Sequence, residues 1–349
     1  MRYIIAALFS ALIWLGPAHA APSPVKEFLS SQEIVDWINE YRHKPNPGAV
    51  PKVVRAISRL GGFKEPEAAG VYIGFIAGVL GNNPGRAEEL IEKIFPLPTA
   101  DHWVIVRAIA YSGAPDWKYL LYKSTALMPT RRLMIDKYMD GRMPTLASLK
   151  IGPAPTMMDH LRDDMSFGQT PEAKKSAKKI TLEPNQVVLD TLWGYYLGTG
   201  SYGPIFRIIE LLPWSKDRDH VDRLTVGSMA KYTLASNAAR DEGLLSMLKA
   251  ARKAKEQPKD TVTALNEVIE AAETADTGKI RQEALASIEN LKVKGPAYKR
   301  DMNTWAKVGQ GVIAVGCIVA AATGQVELGI PCVVGGSLTS AAMYYVTDR

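Results

Sequence analysis

The chain has 349 residues, 47% of them hydrophobic and 22% charged, which is the ordinary composition of a folded globular protein with room for one large helical array or two domains. Its formal charge of +6 is a mild basic excess and carries no nucleic-acid signature.

Residues 1–20 read as a cleavable secretory signal peptide. Arg2 supplies the positive end, Ile4 to Leu15 form the apolar core, and Ala18 and Ala20 flank His19 in a small-residue cleavage pattern ahead of Ala21. The apolar core is too short to cross ~30 Å of hydrocarbon as a helix. No cysteine follows it, which excludes a lipid-modified N-terminus. The expected location is therefore the periplasm or the exterior. Cleavage leaves 41 basic and 36 acidic side chains. Basic groups at Lys174, Lys175, Lys178 and Lys179, and at Lys249, Arg252, Lys253 and Lys255, read as solvated helix faces. A third group, Lys292, Lys294, Lys299 and Arg300, precedes the apolar tail and raises contact with anionic lipid as an alternative.

Periodicity is helical almost throughout. Val25 to Tyr41 carries Phe28, Ile34, Val35, Trp37, Ile38 and Tyr41 at helical spacing, and shorter segments follow from Pro51, Glu65 and Pro84. Asp140-Gly141 and Gly198-Thr199-Gly200 read as helix stops, the latter in preference to a phosphate loop. Gly74-Phe75-Ile76-Ala77-Gly78 with Pro84 recurs as Gly194-Tyr195-Tyr196-Leu197-Gly198 with Pro204, offset by 120 residues. Ile91-Glu92 and Asp101-His102 recur as Ile209-Glu210 and Asp219-His220, offset by 118. Glycines four apart let a neighbouring helix approach closely.

The expected fold is all-α, a solenoid-like body of helical-hairpin repeats with a C-terminal Gly-rich apolar helical hairpin. Its divisions are the signal peptide at 1–20, an N-terminal helical unit at 21–142 and a Pro/Gly/Lys-rich connector at 143–183. A second helical unit at 184–306 partly duplicates 66–140, and the apolar hairpin occupies 307–349.

Three histidines follow an aspartate, at Asp101-His102, Asp159-His160 and Asp219-His220. One reading brings His102, His160 and His220 together on a metal with the carboxylates behind them. The simpler reading makes each aspartate a helix cap. Nucleophile-elbow, phosphate-loop and paired-histidine zinc motifs are all missing, so no catalytic residue and no cofactor are assigned.

The tail has two charge-free stretches either side of Glu327, each just long enough to span a bilayer, and it is rich in Gly, Ala and Ser. Cys317 and Cys332, one in each stretch, would lie at similar height in a hairpin and are expected to form a disulfide; the alternative is two small buried hydrophobes. The expected function is an exported helical-repeat binding or envelope-associated scaffold with a protein partner or membrane surface and no nucleic acid. Phe75, Trp193, Tyr195, Tyr196 and Tyr202 are its candidate contact aromatics, with core packing as their competing role. The alternative is a metal-dependent enzyme built on the Asp-His pairs.

Overall fold

The computed structural model describes residues 28–152, 180–255, 257–280, 282–283 and 286. These residues are mostly helical, with several short 3-10 turns and no strand among them. The all-α expectation is met. Residues 1–20, read above as a signal peptide, lie outside the described residues, as do His160, Cys317, Cys332, the tail and most of the connector.

The first half comprises α1 (Ser31–Tyr41), α2 (Val50–Arg59), α3 (Gly70–Asn82), α4 (Ala87–Ile94), α5 (His102–Tyr111), α6 (Trp117–Lys123) and α7 (Arg132–Met139). Ser30 opens α1 by accepting the Glu33 N–H at 3.2 Å, while Glu33 accepts the Leu29 N–H. Glu65 to Ala69 are a turn, so α3 begins five residues later than periodicity predicts. Gly141, at φ +69°, stops α7 as read from the sequence.

The second half comprises α8 (Gln186–Thr199), α9 (Gly203–Ile209), α10 (Val221–Ala238), α11 (Glu242–Arg252) and α12 (Lys259–Glu273). Gly200 ends α8 in the left-handed conformation, its N–H donating to the Tyr196 carbonyl at 2.7 Å. Leu149 and Leu182, from the two ends of the connector, form an isolated parallel bridge. One contiguous apolar cluster runs from Phe28 to Ile280.

At its centre is α3, apolar on every side and buried from Gly70 to Leu80. Its four glycines and its β-branched residues are poor helix formers, each glycine costing ~1 kcal/mol relative to alanine, so packing must hold the helix. That packing is against α8, the most extensive helix–helix contact among the described residues. Gly70 abuts Val187 and Asp190, Gly74 abuts Thr191, and Gly78 abuts Tyr195 and Thr199. Numbers rise together along both helices, so the two run parallel.

The contacts are also reciprocal. A Cβ on Gly74 would overlap the Thr191 carbonyl oxygen, and one on Gly194 would overlap that of Val71. A Cβ on Gly78 would lie 2.8 Å from the Tyr195 oxygen, and one on Gly198 2.6 Å from the Phe75 oxygen. Each relation maps onto its counterpart through the same offset of 120 residues, as contacts do across a two-fold axis.

Around this seam the rest is pinned by polar bridges. Tyr195 donates to the Ser112 carbonyl at 2.7 Å, joining α8 to the end of α5. Trp193 donates from Nε1 to the Thr233 hydroxyl at 3.0 Å, joining α8 to α10. Lys231, buried on α10, meets Glu267 of α12 at 2.6 Å and Glu283 at 3.2 Å, and Glu267 also meets Lys216 at 3.0 Å. If the seam is set by backbone contact, Gly74→Ala lowers unfolding free energy by about 3 kcal/mol, the upper range for overpacking. Gly85→Ala, at a position open to solvent, changes it little. Urea unfolding of the two variants checks this; equal stabilities would contradict the backbone contact.

Candidate functional site

The five candidate aromatics do not form one surface. Phe75, Trp193 and Tyr196 are buried, whereas Tyr195 and Tyr202 keep some exposure. Phe75 packs edge-on against Trp37 and Tyr41. Trp193, Tyr196 and Tyr202 are brought together: Tyr196 meets Trp193 edge-on at 6.0 Å and stacks on Tyr202 at 5.8 Å.

Tyr196 belongs to a polar joint that periodicity could not reveal. Arg42, just past α1, donates to the Tyr196 hydroxyl at 2.8 Å and pairs with Asp241 at 2.7 Å. Tyr196 donates in turn to Asp241 at 3.2 Å, and Asp241 caps α11 by accepting the Leu244 N–H at 3.0 Å. Burial pushes the Tyr196 phenol well up, against the opposing pull of the Arg42 charge. The phenol stays neutral and donates. This joint clamps the end of α1 to α8 and to the start of α11.

The histidines are placed differently from one another. His102 is buried with its edge to Phe95, and its Nε2 donates to the Leu97 carbonyl at 3.0 Å. Asp101 is turned away from it, accepting the Ser58 hydroxyl at 2.5 Å. His220 is paired with Asp217, its Nδ1 lying 3.3 Å from both carboxylate oxygens. The carboxylate beside this imidazole is thus three residues upstream, whereas the sequence pairing had named Asp219. His160 lies outside the described residues, so the three-histidine arrangement has only these two members in view. Among the described residues no group of three or more potential ligands is placed to hold a metal.

The cavity in this region is an open cleft of about 830 Å³ between the 3-10 segment Leu212–Lys216, α9, the start of α10 and the start of α12. Pro213 starts the 3-10 turn that presents Trp214, and Arg223 of α10 stacks on the Trp214 ring at 4.5 Å. Gly227 lets α10 lie directly on the Trp214–Ser215 backbone, which fixes the wall. Phe206, 46% exposed, supplies a second aromatic surface. Glu210, Asp217 and Asp260 line the cleft with Lys216 and Arg223, leaving one negative charge in excess. Arg207 donates to the Leu149 carbonyl at 2.7 Å and pairs with Glu210 at 2.6 Å, holding the Ile151–Gly152 rim nearby.

Asp217 ties this wall together. It accepts the backbone N–H groups of Asp219 and His220, each at 2.9 Å, as well as the imidazole. Burial alone would raise its pKa, yet these donors outweigh it and hold the carboxyl below its usual range. The sequence carries two local signals for this wall, neither of them singled out above: Pro213-Trp214 in a short turn, and Asp217 three residues before His220, the last residue ahead of α10. No protein-family model, curated protein or solved structure matches the chain.

A depressed folded pKa means that the stability Asp217 contributes is in place above about pH 4 and is lost as pH falls through the lowered value. Urea unfolding at pH 5 and pH 3 should therefore show a smaller acid loss for Asp217→Asn than for the parent. Identical losses would remove Asp217 from the account.

Proposed function

We propose that this protein is an exported binding or envelope-associated scaffold that receives a segment of a partner in the Trp214 cleft. The observation that carries the reading is the cleft itself. At about 830 Å³ it lies within the size range of ligand sites, with an aromatic wall and both signs of charge. Trp214 and Arg223, already stacked, form a rigid platform that loses little side-chain entropy on binding.

The body is read as a duplication, with unit 184–306 partly repeating 66–140. Support comes from the reciprocal glycine contacts at a constant offset. Reciprocity favours two copies facing each other across a closed pseudo-two-fold seam over the open stacking of a solenoid. The cleft then belongs to the second copy and the helices appended to it, α10 to α12. Export rests on the residue pattern of 1–20, and envelope association on the apolar stretches of 307–349 with Cys317 and Cys332 as their staple. Among the described residues no helix is long and apolar enough to cross a membrane.

Two readouts test this. Protein recovered from an exported fraction should begin at Ala21; a chain still carrying Met1 there would end the export reading. Titration with a panel of tripeptides of defined composition should shift NMR signals of Trp214, Phe206 and Arg223 together, and Phe206→Ala should weaken that response severalfold. Shifts scattered elsewhere, or none at all, would defeat the cleft as the binding surface.

A further inference from the structure

We propose that the outward face of α6 and α7 is a docking surface for an anionic lipid membrane. The inference is independent of the cleft; it rests on the envelope-association part of the reading above and supplies the place of contact.

Both helices pack on α5, and Lys118 of α6 joins them by donating to the Met139 carbonyl of α7 at 2.9 Å. α6 turns Leu120 and Leu121 inward, and α7 turns Ile135 and Tyr138 inward. At about 100° per residue, the opposite side of α6 then carries Tyr119 and Tyr122, and that of α7 carries Leu133 and Lys137. Tyr119 is 57% exposed, Tyr122 63% and Leu133 68%. Seven large apolar side chains stand exposed among the described residues, and these three fall between residues 119 and 133 on two adjoining helices. Single exposed apolar groups are ordinary; a group of them on one face marks a contact site.

Charge on the same face names the partner. From Trp117 to Met139 the chain holds five cations and one carboxylate, a net +4, whereas the whole chain carries only +6. That carboxylate, Asp136, is taken by Arg132 at 3.0 Å. Lys123 reaches Glu88 of α4 at 2.7 Å, while Lys118 and Arg131 end on carbonyl oxygens and Lys137 is exposed one turn from Leu133. Asp140, just past α7, is neutralised by Arg142 at 2.6 Å. The outward cations are mainly lysines, which protein interfaces disfavour and anionic lipid attracts. The apolar groups are one leucine and two tyrosines, and a tyrosine ring sits at headgroup level with its hydroxyl in water.

The experiment is flotation of the full chain with vesicles of equal parts phosphatidylglycerol and phosphatidylcholine, beside vesicles of phosphatidylcholine alone. The parent should prefer the anionic vesicles by about tenfold or more. Raising salt from ~0.1 M to ~1 M should remove most of that preference, because the screening length falls from about 10 Å to about 3 Å. Lys118→Gln with Lys137→Gln should weaken binding about thirtyfold, roughly fivefold for each charge lost near the surface. Tyr119→Ser with Leu133→Ser should weaken it about tenfold. Leu29→Ser, at an equally exposed leucine off this face, should change nothing. All these side chains are exposed, so the circular dichroism of each variant should match the parent. Binding untouched in both double variants overturns the docking face and leaves envelope association through 307–349 standing. Equal binding to neutral and anionic vesicles overturns the anionic surface as partner. Poly-L-glutamate held as tightly as the anionic vesicles, and no less by Tyr119→Ser with Leu133→Ser, makes the partner an acidic protein and overturns the lipid. If no vesicle binds, envelope association and this inference fail together.

Discussion

The backbones of α3 and α8 touch. Everything else in the described structure follows from that one close approach, because it is possible only where side chains are absent on both sides. Gly74 and Gly194 each sit against the other helix's carbonyl oxygen, and Gly78 and Gly198 repeat the arrangement one turn later. Glycine is a weak helix former, so the sequence spends intrinsic helix stability here and recovers it as dense, dry contact along two parallel helices. A helix buried on all sides must then be covered: α4, α5 and α8 pack on it, and Trp37 and Tyr41 of α1 close over Phe75.

The cleft depends on this seam at one remove. Gly200 turns the chain out of α8 directly into α9, whose Phe206 and Glu210 face the opening. Trp193 on α8 holds α10 through Thr233, and α10 carries Arg223 onto Trp214. Lys231, Glu267 and Lys216 then fix α12 against that wall. A buried lysine shared between carboxylates adds little net stability once desolvation is counted, but it specifies one position for the helix start that faces the cleft. Arg42, Tyr196 and Asp241 lock the other side, bringing the end of α1 onto the cap of α11.

Much of the helical body was legible because its determinants are local. Gly141 and Gly200 stop helices through a positive φ that needs no tertiary contact. The glycines four apart at 74, 78, 194 and 198 announced a close helix neighbour, and the repeat drew attention to both sets. What stayed hidden was that each set is the other's neighbour, since no periodicity encodes a partner 120 residues away. The Arg42–Asp241 pair was invisible for the same reason. At His220 the adjacent Asp219 drew the eye, but the turn from Asp217 into α10 curls the earlier carboxylate under the ring. The aromatic run Trp193 to Tyr202 reads like a contact surface, yet helical rotation sends Trp193 and Tyr196 inward. The cleft arises where three segments distant in sequence meet, and composition alone marks none of them.

The claim that the glycine seam holds the fold is tested most directly by native-state hydrogen exchange. Amides in the middle of α3 and α8 should exchange only through global unfolding, with one shared free energy equal to that from urea denaturation and higher than that of α6 or α7. Should α3 and α8 open with different free energies, or should α10 to α12 outlast them both, the seam would not be what the structure rests on.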